Sequence, residues 1–106
     1  MNDKIKLPSI HQLRKSNYKC RIIHKRYYEG YGLLSKREME DVIFQKHCKS
    51  RISPKGGCTL IEITTSTGEN FKSEAVCSQK DSFNRRIGLQ ICLGRISKVH
   101  KFQIKE

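Results

Sequence analysis

The chain has 106 residues, with 22 lysines and arginines against 10 aspartates and glutamates, and its formal net charge is +12. This length allows one domain with a modest core. No apolar run approaches the roughly 20 residues that span a bilayer. No apolar segment follows the N-terminal charges either, so we expect neither a membrane helix nor a signal peptide. The composition favours a cytoplasmic protein.

Positive charge is concentrated at the two ends of the chain. Residues 1–37 carry a net charge of +8 and residues 83–106 carry +5, whereas residues 38–82 carry −1. Two basic segments flanking a neutral middle are expected of a nucleic-acid-binding protein, although a solvated basic surface gives the same counts. The sequence therefore predicts a polyanionic partner, either DNA or RNA, or an acidic surface on another protein.

The N-terminal part divides into an arm and a strand. Because the first residues lack a sustained hydrophobic period, we assign residues 1–16 to a basic N-terminal arm and residues 17–106 to a single α+β domain. From Tyr18 to Tyr28, alternating residues with many β-branched and aromatic side chains predict a strand. Two glycines shortly after Tyr28 end it.

A helix and a hairpin are predicted in the middle of the chain. Ser35 and Glu38 have the spacing of a capping box, and the apolar residues that follow predict a helix to near His47. Residues 59–65 and 70–77 alternate as two strands, and the glycine between them suits a tight hairpin turn.

The last predicted element is a helix that starts at Ser78, or alternatively at Asp81 or Ser82. Gly88 and Gly94 lie within it, and glycine weakens a helix interior by about 1 kcal/mol, which indicates close packing on a sheet or on a partner helix. A homodimer through this helix is therefore one alternative. The predicted fold is α+β, strand–helix–hairpin–helix, with a small antiparallel sheet formed by the N-terminal strand and the hairpin and packed on two helices.

Cysteine and histidine spacing does not predict a metal site. The five cysteines, an odd number without a C-x-x-C pair, suit a reducing compartment. Cys20 with His24 and the adjacent His47 and Cys48 are the close Cys–His pairs, which is too little for a four-ligand zinc site. We expect no metal, no cofactor and no catalytic residue.

Aromatic and basic residues are interleaved near the N-terminus, since all four tyrosines lie between residues 18 and 31. Tyrosine rings stack on bases while neighbouring cations meet phosphates. We expect Tyr18 to pack in the core, and for the other three tyrosines stacking and packing both remain open. The predicted nucleic-acid-binding residues are Lys19, Arg21, Lys25, Arg26, Tyr27, Tyr28, Tyr31, Arg85, Arg86 and Arg95.

The segment from Ala75 to Gly88, followed by Leu93-Gly94-Arg95, contains an Asp-x-Phe-x-Arg-Arg-x-Gly motif. It resembles a group of small proteins of bacteriophages and mobile elements of low-GC Gram-positive bacteria, and the resemblance covers roughly residues 25–97. Leu89 departs from that pattern, in which a further arginine is expected. The hairpin followed by a long helix is also similar, in topology alone, to transcriptional coactivator domains that bind single strands on a curved sheet.

These observations together predict a non-enzymatic nucleic-acid-binding protein of phage or mobile-element origin in the bacterial cytoplasm. The alternative is an anti-CRISPR or other anti-defence inhibitor that binds a host nucleic-acid-handling protein. A small nuclease is a third interpretation. The acids that could hold the metal ion of a nuclease lie in the first turns of the middle helix: Glu38, Glu40 and Asp41. The helix dipole favours acids at these positions, which already accounts for their presence.

Overall fold

The computed structural model describes residues 7–47 and 50–104 of the chain. Within this part of the chain, the elements in order are α1 (Ile10–Lys15), β1 (Lys19–Tyr28), β2 (Gly32–Ser35), α2 (Lys36–Lys46), β3 (Lys55–Thr64), β4 (Asn70–Ser82) and α3 (Arg85–Ser97). The strands form one antiparallel sheet in the order β2-β1-β3-β4. The predicted α+β fold, with a small antiparallel sheet packed on helices, is confirmed.

The sheet has one face that carries the core. Ile22 of β1 lies opposite Ile61 of β3, which lies opposite Ser73 of β4, so these three side chains share a face. Residues of α1 and α3 pack on it, and α2 lies on the same side, where Met39 is buried. We call this side the helix face. Its main buried cluster consists of Leu13, Tyr18, Ile61, Ile63, Ala75, Cys92, Leu93 and Ile96.

The other side of the sheet, which we call the open face, is not covered by any helix among the described residues. The strand register places the intervening side chains there. They are Lys19, Arg21, Ile23, Lys25 and Tyr27 from β1, Leu33 and Ser35 from β2, Cys58, Leu60, Glu62 and Thr64 from β3, and Asn70, Lys72, Glu74 and Val76 from β4.

The described part of the expected N-terminal arm belongs to the fold. Ser9 and Gln12 form a capping box, in which the Ser9 hydroxyl accepts from the Gln12 N–H at 3.1 Å and the Gln12 side chain accepts from the Ser9 N–H at 2.9 Å. Leu13 of α1 is fully buried. A helix of six residues is too short to show a hydrophobic period, which is why the sequence favoured an arm. Residues 1–6 of that arm lie outside the described residues.

The expected break after β1 is a hairpin with β2, a strand of four residues that the sequence did not predict. Gly30 and Gly32 take positive φ angles of 83° and 80°, as the break required. The capping box of Ser35 and Glu38 starts α2 as expected, with the Ser35 hydroxyl accepting from the Glu38 N–H at 3.1 Å. The hairpin of β3 and β4 is also present as predicted.

The last helix starts later than expected, because β4 continues to Ser82: Cys77 pairs with Gly57, an irregularity follows, and Ser82 then pairs with Lys55. The helix cap is Asn84, whose side-chain oxygen accepts from the Ile87 N–H at 3.1 Å. A start at Ser78, Asp81 or Ser82 was therefore wrong: the pairs with β3 at Cys77 and at Ser82 keep the segment between them in the strand, which local capping signals do not reveal.

The two glycines of α3 differ in their surroundings. A Cβ atom on Gly88 would overlap the hydroxyl of Thr59 on β3. On Gly94 the nearest atom would be Leu7 Cδ1, at 3.9 Å. Close packing of α3 on the sheet is therefore found at Gly88 and not at Gly94.

Candidate nucleic-acid interface

The basic residues of β1 that point to the open face are Lys19, Arg21 and Lys25. Side chains on one face of a strand repeat every second residue, about 6.6–6.8 Å along the chain. Lys72 of β4 adds a fourth cation, and the acids on this face are Glu62 and Glu74. The open face therefore carries four basic and two acidic side chains, with the bases spread along its length.

Two ion pairs involve this face, and both are weak. Lys72 Nζ lies 3.3 Å from Glu62 Oε2, and Lys25 Nζ lies 3.6 Å from Glu38 Oε1 at the start of α2. The side chains are solvent-exposed, so each pair contributes little to stability. Hydrogen bonds to Ser35, and secondarily Lys25, lower the pKa of Glu38.

Lys19 and Arg21 form no ion pair within the described residues, and both are exposed. They can therefore bind an anionic ligand without first breaking an ion pair in this part of the chain.

Apolar side chains occupy the centre and the far end of the open face. Ile23 and Leu60 lie opposite each other, half-buried, beside a shallow depression of about 380 Å³ that Arg21 also lines. Val76 is 71% exposed. Tyr27 packs on the backbone of β3, since a Cβ atom on Gly56 would lie 2.8 Å from its ring, and it remains half-exposed. This surface combines free cations with apolar and aromatic contact area.

Six predicted site residues lie elsewhere, four of them in β1, the turn before β2 and the last turn of α3. Arg26 and Tyr28 alternate with Tyr27 and point to the helix face, where Tyr28 is only 8% exposed. Tyr31 lies in the turn before β2 with the Lys46 ammonium 5.6 Å from its ring centroid. Arg95 donates a hydrogen bond to the Glu74 carbonyl oxygen on the edge strand β4, which ties α3 to the edge of the sheet.

Arg85 and Arg86 are exposed in the first turn of α3, on the helix-bearing side of the molecule. The ten predicted residues therefore do not form one surface. The structure brings Lys19, Arg21, Lys25 and Tyr27 together on the open face. It places Arg26 and Arg85 around a separate cleft on the other side.

His24 is a residue in that cleft to which the sequence analysis gave no binding role. Its Nδ1 is hydrogen-bonded to Thr59 Oγ1 at 2.9 Å, and its ring meets the Phe83 ring edge-on at 5.9 Å. Burial lowers the pKa of His24, and the charges of Arg85 and Arg26 lower it further. The alternation of β1 places His24 and Arg26 on one face, but the approach of Arg85 depends on how α3 packs.

Three of the described cysteines are wholly or partly shielded by burial, and the described residues contain no metal-binding group. Burial raises the pKa of Cys20, Cys58 and Cys92, which disfavours the reactive thiolate form of these side chains. No group of three or more His, Cys, Asp or Glu side chains could hold a metal ion in residues 7–47 and 50–104. Cys48, part of one predicted Cys–His pair, lies outside this part of the chain.

Comparison with protein-family models, curated proteins and solved structures finds no match to this chain. No described helix is long and apolar enough to cross a membrane. The surface chemistry of the two faces of the sheet is therefore the basis for inferring function.

Proposed function

We propose that this protein binds single-stranded nucleic acid on the open face of its sheet, without enzymatic activity. The observation that carries this proposal is the run of alternate residues on β1, from the free cations Lys19 and Arg21 to Lys25 and Tyr27. A four-stranded antiparallel sheet with helices on one side offers its other side to extended ligands, as in several RNA-binding modules.

A single strand suits this surface better than a duplex. The phosphates of a single strand or of a duplex could both contact the cations. The apolar and aromatic side chains Ile23, Leu60 and Tyr27 can contact bases only where the base faces are accessible. A duplex hides those faces in its stack. The phage or mobile-element origin implied by the motif from Ala75 to Arg95 is part of the same proposal.

The test is fluorescence anisotropy with labelled oligothymidine, oligouridine and a duplex at several salt concentrations. We expect single strands to bind more tightly than the duplex. The double variant Lys19→Ala/Arg21→Ala should bind more weakly, and its log–log salt slope should flatten by about 1.4, since each phosphate contact on a single strand contributes about 0.7.

The matched control is Arg86→Ala/Lys98→Ala, which removes the same charge from exposed positions in and just after α3. It should leave the salt slope almost unchanged. Equal losses in both double variants would show that net charge alone drives binding and would contradict the assignment to the open face.

The alternative function has its own outcome in this experiment. A protein that shows no binding to any oligonucleotide at low salt, yet forms a stable complex with a purified nuclease of a host defence system, is an anti-CRISPR or other anti-defence inhibitor. That result would refute nucleic-acid binding as the function.

A further inference from the structure

A cleft lies on the helix face between α2 and the start of α3, with a volume of about 460 Å³. We call it the interhelix cleft. His24, Arg26 and Tyr28 of β1 line it, together with residues of α2 and Arg85 of α3. Its size is in the range of small-ligand sites, and it is separated from the open face by the sheet itself.

The charges around the interhelix cleft are unbalanced. Arg26, Lys36 and Arg85 line it, and Glu40 is the acid among its lining residues. None of the three cations forms an ion pair within residues 7–47 and 50–104. Arg85 also lies in the first turn of α3, which contains no acid, so its charge adds to the positive end of the helix dipole. Three like charges around one cleft favour an anionic ligand there.

Arg26 is held in place before any ligand arrives. Its Nη2 donates to the Ser53 carbonyl oxygen at 3.1 Å, and its guanidinium carbon lies 4.5 Å from the centre of the Phe83 ring. Its Nε is buried and has no hydrogen-bond partner among the described residues. A guanidinium fixed in this way loses little side-chain entropy on binding, and its planar donors match the oxygens of a phosphoryl group.

His24 adds a titratable donor to the same wall of the cleft. Its Nδ1 is engaged by Thr59 Oγ1, which fixes the plane of the ring. The charged groups facing it are Arg26 from its own strand and Arg85 from α3, while Glu40 and Lys36 approach the cleft from α2. A bound dianion would reverse the local field and favour the imidazolium form.

We propose that the interhelix cleft binds a phosphoryl dianion between the guanidinium groups of Arg26 and Arg85, with Lys36 and His24 as further donors. The chemical class of the ligand is a phosphate monoester. Apolar side chains that also line the cleft would contact its organic part: Met39, Ile43 and Ile52. This site is independent of the single strand proposed for the open face, because it lies on the other side of the sheet.

The first experiment is calorimetric titration of the full chain with inorganic phosphate and with uridine 5′-monophosphate, at ionic strength held constant with chloride. Arg85→Gln should weaken binding of both probes about tenfold or more, since it removes a charge-assisted interaction. Arg86→Gln is the matched control, because it removes the same charge from the next exposed residue of the same helix turn and does not line the cleft.

Two results of this titration would overturn the proposal. One is that neither probe shows saturable binding, and the other is that the two variants lose affinity equally. Because Arg85 is exposed, its replacement does not endanger the fold, and melting temperatures of both variants check this.

A second measurement follows the His24 imidazole by NMR during a pH titration. Its pKa should rise when phosphate is added to the wild-type protein, and it should rise much less in Arg85→Gln. An unchanged His24 pKa at saturating phosphate would place the anion elsewhere and overturn the proposal.

The ligand's phosphoryl group could belong to the end of a nucleic acid or to a free nucleotide. The Lys19→Ala/Arg21→Ala variant distinguishes the two, because its binding to the open face is weakened. Tighter binding of a 5′-phosphorylated than of a 5′-hydroxyl oligonucleotide assigns the cleft to the end of a nucleic acid. Tighter binding of the mononucleotide than of both oligonucleotides assigns it to a free nucleotide. Either result supports a phosphoryl site, whereas indifference to the phosphate in every ligand would refute it.

Discussion

On the open face, Arg21 is exposed and forms no ion pair within the described residues, whereas five residues further along the same strand Arg26 is fixed between Phe83 and the Ser53 carbonyl oxygen. The two arginines point to opposite sides of the sheet. Their side chains have the same chemistry and the same charge. They differ in what surrounds them, because three helices cover one side of the sheet and none of the described helices covers the other.

This difference indicates what kind of anion each face suits. Exposed cations suit a flexible polyanion, and binding through them depends strongly on salt concentration. A guanidinium held rigidly in a cleft is preorganised for one compact group. The total charge of the chain therefore predicts neither ligand, and the distribution of fixed and exposed cations is more informative.

The strongest test of the two faces compares neighbouring residues of β3. Ile61 is 2% exposed in the core, and Leu60 lies half-buried on the open face. Ile61→Ala should lower the free energy of unfolding by about 2–5 kcal/mol. Leu60→Ala should cost about 1 kcal/mol or less, since its site is already partly hydrated. Urea denaturation measures both.

Equal losses of stability in the two β3 variants would contradict the difference between the helix face and the open face. They would mean that the open face is covered in solution, for example by a second copy of the chain. Sedimentation of the wild-type protein over a range of concentrations would then show an oligomer.

The second test compares the two glycines of α3. Gly88→Ala should destabilise the protein by about 1–3 kcal/mol, because its methyl group would overlap Thr59, which also holds His24. Gly94→Ala, with only Leu7 nearby, should be neutral or should stabilise by up to about 1 kcal/mol through helix propensity. Thermal unfolding of both variants provides the measurement, and a stabilised Gly88→Ala would show that α3 does not approach the sheet closely.

The elements that the sequence predicted are those with a strong local signal. The capping box at Ser35, the alternation of β1 and the hairpin of β3 and β4 are each determined by neighbouring residues. The four-residue β2 and the six-residue α1 were missed because such short segments show no period. The start of α3 was misplaced because the pair of Ser82 with Lys55, beyond an irregularity in β4, keeps residues up to Ser82 in the strand.

The candidate sites were predictable only in part. Because side chains alternate between the two faces of a strand, the sequence alone places Lys25 and Tyr27 on one face and Arg26 and Tyr28 on the other. Grouping all four as one surface could therefore have been avoided. The convergence of Arg85 on His24 could not have been foreseen, because it depends on the docking of a helix about 60 residues away in sequence. The hydrogen bond from Arg95 of α3 to the Glu74 carbonyl oxygen of β4 depends on the same docking.

The smallest expected effect concerns the pH dependence of stability. Burial, Arg85 and Arg26 lower the pKa of His24 below its usual value of 6.5. The unfolded chain therefore binds more protons than the folded one between the two pKa values. The stability contributed by neutral His24 is fully present above about pH 6.5 and is lost as the pH falls towards the folded pKa.

His24→Gln tests this directly, because glutamine can still hydrogen-bond Thr59 but does not titrate. Measured by urea denaturation, the wild-type protein should lose more stability between about pH 7.5 and pH 5 than the variant does, since the other histidines are common to both. Phosphate should reduce this difference, because a dianion in the interhelix cleft favours the imidazolium. A difference of the opposite sign without phosphate would mean that His24 is stabilised in its charged form, and the two arginines could not then face it.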